Sequence, residues 1–271
     1  MIDSSPPRAY PLGMELIDTH CHLCHGRLRQ SADEALQRAR DAGLSAVICA
    51  ASDLPESKAA LGMARRHPDV HCMAGVHPHD AKDVNEQTLG QIADLANMPE
   101  NIAVGEIGLD YHYDFSPRNV QRQVFAAQLE LARRLDRKVV IHTREALDDT
   151  LAVLAESGFD ASRAVFHSVT EDAGGVRRML DTGATISFSG IVTFKKTDSL
   201  RDAAALVPDD RLLIETDAPF LSPEPVRKMK TNEPANVAHV CRCLAQVRGT
   251  SPEWLAGQTT RNARAFFGLD V

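Results

Sequence analysis

At 271 residues, 44% of them apolar and 25% charged, the chain has the balance of a soluble globular protein with room for a full core, which excludes disorder. The 30 basic and 37 acidic residues leave a formal net charge of −7. That argues against passive coating of nucleic acid, but not against an anionic substrate met through bound cations. The longest uninterrupted apolar run, Ala46 to Ala51, falls far short of the ~18 residues of a membrane span. Residues 1–13 hold Pro6, Pro7 and Pro11 without periodicity and read as a loose leader, so translation could begin at Met14. Residues 14–271 read as one domain. Short apolar runs at Glu15–His20, Ser45–Ala51, His71–Val76, Asn101–Glu106, Lys138–His142, Ala164–His167, Ala184–Phe188 and Arg211–Glu215 predict strands covered on both faces. Helical patterns separate them. Ser116-Pro117 is expected to open one as N-cap and first-turn proline, ahead of Val120, Val124, Ala127 and Leu131 on one stripe. Another is expected from Glu233, with Val237, Val240, Cys241, Leu244 and Val247 aligned. Gly43, Gly158 and Gly183 stand where glycine ends helices. Eight strands alternating with helices, without a linker, predict an α/β fold, a single (β/α)8 TIM barrel. An open doubly wound sheet is the alternative, and it lacks support because no G-x-G-x-x-G or G-K-[ST] is present.

The ligand-type residues fall at one level of that barrel. His20 and His22 close the first predicted strand, Glu106 the fourth, His142 the fifth and His167 the sixth, with Asp217 just past the eighth. Strand carboxyl ends in a parallel barrel converge on one mouth, so residues distant in sequence meet there. A spacing of two turns both imidazoles of His20-Cys21-His22 to one face and Cys21 to the other. Alone, such a pair is more often two hydrogen-bonded polar residues. Four further ligand-type residues at equivalent heights reverse that weighing in favour of a metal site. Imidazoles with carboxylates suit Zn, Mn, Fe or Ni, with Mg still open. Four histidines and two carboxylates exceed what one open catalytic ion needs. Two divalent ions, ~3.5–4 Å apart, would use them all if one carboxylate, most naturally Glu106, bridged them. Cys21-x-x-Cys24 has no second pair to complete a zinc ribbon. The six cysteines therefore read as reduced thiols of a cytoplasmic protein.

Several of these segments are familiar together. Ile17-Asp-Thr-His-Cys-His-Leu23, Gly75-Val-His-Pro-His79, Ala103-Val-Gly-Glu-Ile-Gly-Leu-Asp-Tyr111, Ile141-His-Thr-Arg-Glu-Ala146, Ile186-Ser-Phe-Ser-Gly-Ile-Val-Thr-Phe-Lys-Lys196, Glu215-Thr-Asp-Ala-Pro-Phe-Leu-Ser-Pro223 and Asn232-Glu-Pro234 resemble the TatD family of metal-dependent deoxyribonucleases. The match runs in the family's order over nearly everything after Gly13. It implies a metal-dependent hydrolase barrel of the amidohydrolase type. Carried over, His20, His22 and Asp217 resemble ligands of a first ion, Glu106 the bridge, and His142 with His167 the ligands of a second. The chain departs at Ser168-Val169, where the family usually has Cys-Phe, which leaves the pocket wall and substrate preference in question.

The expected reaction is hydrolysis of a DNA phosphodiester by metal-activated water, with Glu106 and Asp217 as catalytic residues and Asp217 accepting the proton. Action from 3' to 5' on single strands is implied by the resemblance alone. His77, His79 and Arg144 are candidates for gripping substrate phosphate. The histidines could instead form a capped turn, and Arg144 could pair with Asp148. Asp110 and Tyr111 are candidates for orienting a ligand or facing substrate. Lys195-Lys196 and Arg227, Lys228 and Lys230 sit on barrel-top connections, where charge is more often merely solvated than used to steer DNA. Phe115, Phe188, Phe194 and Phe220 are candidates for stacking a base. DNA is the expected partner of a monomer that meets no membrane. The other readings are a binuclear hydrolase of an ester, amide, lactone or aminoacyl-nucleic-acid bond, and a barrel holding metal for structure alone.

Overall fold

Apolar runs of three to ten residues, each bounded by a helix or a turn, build a parallel sheet in the computed structural model, which describes residues 14–269. The predicted leader at 1–13 lies outside the described residues. The strands are β1 (Leu16–Cys21), β2 (Leu44–Cys49), β3 (Val70–Ala74), β4 (Asn101–Asp110), β5 (Lys138–Arg144), β6 (Ala164–Phe166), β7 (Thr185–Phe188) and β8 (Leu212–Ile214), in that spatial order. The helices are α1 (Ala32–Asp41), α2 (Leu54–Arg66), α3 (Glu86–Ala96), α4 (Arg118–Arg134), α5 (Leu147–Glu156), α6 (Ala173–Asp181), α7 (Asp198–Leu206), α8 (Val237–Val247) and α9 (Pro252–Phe267). This is the eight-stranded α/β barrel that the alternating pattern predicts, and no described helix is long and apolar enough to cross a membrane.

Several boundaries differ from expectation. β4 runs on to Asp110 and β5 to Arg144, so Glu106 and His142 stand inside strands, whereas β6 and β8 stop short of His167 and Glu215. The fourth helix begins at Arg118, with Pro117 at its N-cap. The Ser116 hydroxyl is occupied elsewhere, donating to the His79 carbonyl at 2.7 Å and accepting from the Lys82 N–H at 3.0 Å. The helix expected from Glu233 begins at Val237 after a 3-10 turn over Pro234–Asn236.

Two apolar layers form. Leu16, Val47, Val104, Ile107 and Ile141 pack outward against the helices. Ile17, Ile48, Met73, Ala103, Val140, Val165 and Leu213 form a separate interior core, with Phe267 and Leu269, at and after the end of α9, packed into it. Strict alternation breaks in two strands. Ile17 lies in the interior layer and Cys21 in the outer one, although an even spacing separates them, because the β1 register against β2 shifts between Asp18 and Cys21. Ala103 and Ile107 differ in the same way, across a shift of β4 against β5 between Val104 and Ile107. An extra residue in one strand re-aims every side chain beyond it. Here the shifts turn His20 and Glu106 toward the barrel axis.

The seam between β1 and β8 is closed largely by side chains. Asp18 accepts from the Thr216 N–H at 2.9 Å and the Thr216 hydroxyl at 2.5 Å, and the Thr19 hydroxyl donates to the Ile214 carbonyl at 2.9 Å. Above them the Asp217 N–H donates to the His20 carbonyl at 2.9 Å and the His22 N–H to that of Ala218 at 2.6 Å. Closing the barrel therefore also sets His20, His22 and Asp217 side by side.

Candidate metal centre

The six residues predicted as ligands meet at the mouth, arranged around one carboxylate. Glu106 Oε2 lies 3.3 Å from His20 Nε2 and 3.4 Å from His22 Nε2. Asp217 Oδ1 completes that side at 3.9 and 3.6 Å from the same two nitrogens, which are themselves 3.2 Å apart. The other oxygen, Glu106 Oε1, faces His142 Nδ1 at 2.9 Å and His167 Nε2 at 2.6 Å. Atoms that share an ion at about 2.0–2.2 Å must lie roughly this close to one another. His20, His22 and Asp217 form one group able to hold a cation, His77, Glu106 and His142 a second, and His20, His167 and Glu215 a third, so His142 and His167 fall in different groups.

Electrostatics favour a cation in this place. Burial pushes the Glu106 carboxyl up, but the surrounding His167, His77 and His142 rings outweigh it and hold the group well below the usual carboxylate range. Burial lowers His22, yet the Asp217 and Glu106 carboxylates raise it to about 10. Burial also lowers His167, and Glu106 with Glu215 drive it well above its ordinary value, whereas burial and His167 leave His20 lowered. The carboxylates thus demand positive charge, which protons provide on the rings when no metal does. Divalent ions of the borderline class, which take both imidazole and carboxylate, match this donor set.

Two carboxylates outside the six candidate ligands, Glu215 and the orienting candidate Asp110, face the candidate ligand rings. His167 Nδ1 lies 3.1 Å from Glu215 Oε1, and the Ser187 hydroxyl donates to Glu215 Oε2 at 2.6 Å. With Nδ1–H donating, Nε2 is left to face Glu106, the carboxylate–histidine arrangement that fixes a ligand ring. Asp110 does the same for His142, whose Nε2 lies 3.1 Å from Asp110 Oδ2. The role of Glu215 escapes the sequence reading, although the residue heads a quoted motif one residue beyond an apolar strand, where side chains reach the mouth.

The predicted phosphate contacts divide. His77 caps the 3-10 turn Pro78–Asp83, its Nδ1 accepting from the His79 N–H at 3.1 Å. That leaves the proton on Nε2, which points at Glu106 Oε1 from 3.5 Å. Burial holds this ring well below its ordinary pKa, so it is a neutral donor facing the centre. His79 turns to Asp110 Oδ2, 3.0 Å from its Nε2. Arg144 lies with its guanidinium 5.0 Å from the Tyr113 ring centre, and the alternative pairing with Asp148 is not formed: Asp148 pairs with Arg178 at 2.6 Å.

With this geometry in view, comparison with known proteins is decisive. The family model described as TatD related DNase matches residues 17–268. The chain belongs to the TatD family. It is 35% identical to the uncharacterized metal-dependent hydrolase YabD of Bacillus subtilis, covering 94% of this chain and all (100%) of that one. It is 36% identical to the 3'-5' ssDNA/RNA exonuclease TatD of Klebsiella pneumoniae, over 94% of this chain and 99% of that protein. The crystal structure of YJJV, a TatD homologue of Escherichia coli, superposes with a TM-score of 0.88 at 27% identity, covering 94% and 98% of the two chains. The protein is therefore a TatD-family metal-dependent hydrolase. At the departure from the usual TatD pattern, Ser168 adopts φ +44° with its hydroxyl 2.8 Å from that of Ser189, and Val169 is buried. A hydroxyl pair stands in that wall.

Proposed function

We propose that the protein hydrolyses DNA phosphodiesters with two divalent ions, working from the 3' end of single strands. One observation carries the reading: the two oxygens of Glu106 are divided between two sets of nitrogen ligands. His20, His22 and Asp217 would hold one ion and His142 with His167 the other, Glu106 bridging them. Bound cations supply polarisation of a phosphoryl oxygen and a water acidic enough to act at neutral pH. Asp217 would accept that water's proton, a role supported by its side chain's 15% exposure against 4% for Glu106. His77, a neutral Nε2–H donor facing the same space, is suited to a phosphoryl oxygen. The two ions would offset the chain's negative charge where an anion must approach. The exonuclease name of the Klebsiella relative supports strandedness and polarity.

Product analysis on end-labelled single strands, across a series of divalent metals, tests the proposal. Stepwise shortening from the 3' end that stops with chelator is the expected result. A metal-loaded protein that cleaves ester, lactone or aminoacyl substrates and leaves every nucleic acid intact overturns it.

A further inference from the structure

Tyr113 and Phe115, on the connection between β4 and α4, are 47% and 56% exposed, although the fold gains most from such rings when they are buried. Their planes lie within 24° of parallel with centres 5.3 Å apart. His79 meets both edge-on, at 5.4 and 4.7 Å, and the Arg144 guanidinium lies over Tyr113.

The connection that carries the pair is tied down at several points. Asp110 Oδ1 accepts the N–H groups of His112 and Tyr113 at 3.0 and 2.9 Å. Lys82 Nζ donates to the Phe115 carbonyl at 3.2 Å. Asp114, at φ +51°, is pinned by Arg118 at 2.9 and 2.8 Å. The other oxygen of Asp110 accepts from His79 and from the candidate ligand His142. One carboxylate thus ties the exposed rings to the metal centre.

The other aromatic candidates are less exposed than this pair. Phe188 is fully buried, Phe194 lies under the Arg227 guanidinium at 3.8 Å, and Phe220 packs edge-on against His25 at 5.1 Å.

Resting on the nucleic-acid reading above, we propose that Tyr113 and Phe115 are a stacking platform for a nucleobase flanking the scissile phosphate, with Arg144 backing the platform. A platform preset in position loses little entropy on binding, and an unpaired base offers its faces freely whereas bases within a duplex are covered by their stacked neighbours. Selection for single strands would then arise here.

The test compares wild type with the double variant Tyr113→Ala/Phe115→Ala, metal-loaded, on a single strand and on the same strand with an abasic terminal nucleotide. The variant is expected to raise KM on the intact strand about tenfold or more, with kcat within about twofold. On the abasic strand the two proteins should match, and Phe115→Trp should retain the wild-type KM. A 2-aminopurine base at the terminus of a cleavage-resistant phosphorothioate strand should be quenched by wild type and not by the double variant. An active wild type whose double variant keeps the same KM and the same quenching overturns the platform alone. A wild type inert on every strand overturns the nucleic-acid reading and the platform with it.

Discussion

The lower and upper halves of the same barrel are built by opposite rules. Below, Ile17, Ile48, Met73, Val140, Val165 and Leu213 fill the interior with apolar volume, with Phe267 packed into it. Above, the interior positions pass to His20, Glu106, His167 and Glu215, all buried, and two of the strands that carry them change register to do so. Buried ionisable groups are costly unless paired and hydrogen-bonded. The mouth meets that cost with Ser187 on Glu215, Thr216 on Asp18, and imidazoles on every free carboxylate oxygen of Glu106. The lower half supplies stability; the upper half holds clustered carboxylates whose charge is met by protonated rings or by a bound metal ion. Departures from local regularity concentrate where function lies.

Substitutions should separate the halves. Asp217→Asn is expected to lower turnover about 10²–10⁴-fold at saturating metal, the loss expected for a proton acceptor, while circular dichroism shows the fold retained. Full activity in that variant, measured as initial rate on single-stranded DNA, would break the assignment. Ile48→Ala, in the interior layer below, should do the reverse. It is expected to cost about 2–5 kcal/mol in denaturant unfolding, with the metal content per chain unchanged by elemental analysis.

Metal addition sharpens the contrast. A cation binding only the folded mouth stabilises by about 2.7 kcal/mol at a hundredfold excess over its dissociation constant. Wild type and Ile48→Ala should both show the corresponding upward thermal shift. Glu106→Gln, which removes the carboxylate common to both candidate ligand sets, should lose most of it. A full shift in Glu106→Gln would show that the cation binds elsewhere.

How far this division could be read from residues alone depends on what each feature requires. The level at which His20, His22, His142, His167 and Asp217 gather follows from strand ends, because a parallel barrel brings them together whatever the details. The register shifts in β1 and β4 do not follow, since they depend on pairing with neighbouring strands. Glu106 thus reads as a strand end although β4 continues to Asp110. Gly108 is a local trace of that path: at φ +140°, a Cβ there would stand 2.0 Å from the His142 carbonyl oxygen, so the chain after Glu106 is squeezed against β5. Glu215 and Asp18 were equally opaque. Both stand in quoted motifs, yet their partners, His167 and Thr216, are 48 and 198 residues away, so the motifs do not show what either carboxylate holds. His79 shows how one motif supports two roles, since its spacing to His77 fits a phosphate grip while its ring turns to Asp110.

Charge placed away from the mouth should behave as a small structural increment, and this gives the smallest effect. Arg40, in α1, forks onto Asp69, the residue preceding β3, at 2.7 and 2.8 Å. That fork holds the Asp69 carboxyl below its usual range against the opposing pull of partial burial. A carboxyl depressed on folding contributes stability above its unfolded pKa, near 4, and loses it as pH falls through the lower folded value. Both side chains are partly exposed, so solvent screening limits the contribution to about 1 kcal/mol or less. Asp69→Asn should therefore lie below wild type by about that much in urea unfolding at pH 7, and the gap should close as pH falls below about 4. Activity at neutral pH should be unchanged, because nothing in this pair reaches the mouth. A gap that persists undiminished into acid would mean that Asp69 acts through its neutral hydrogen bonds. The distinction would then fail between a charge that stabilises the fold and carboxylates held ready for a cation.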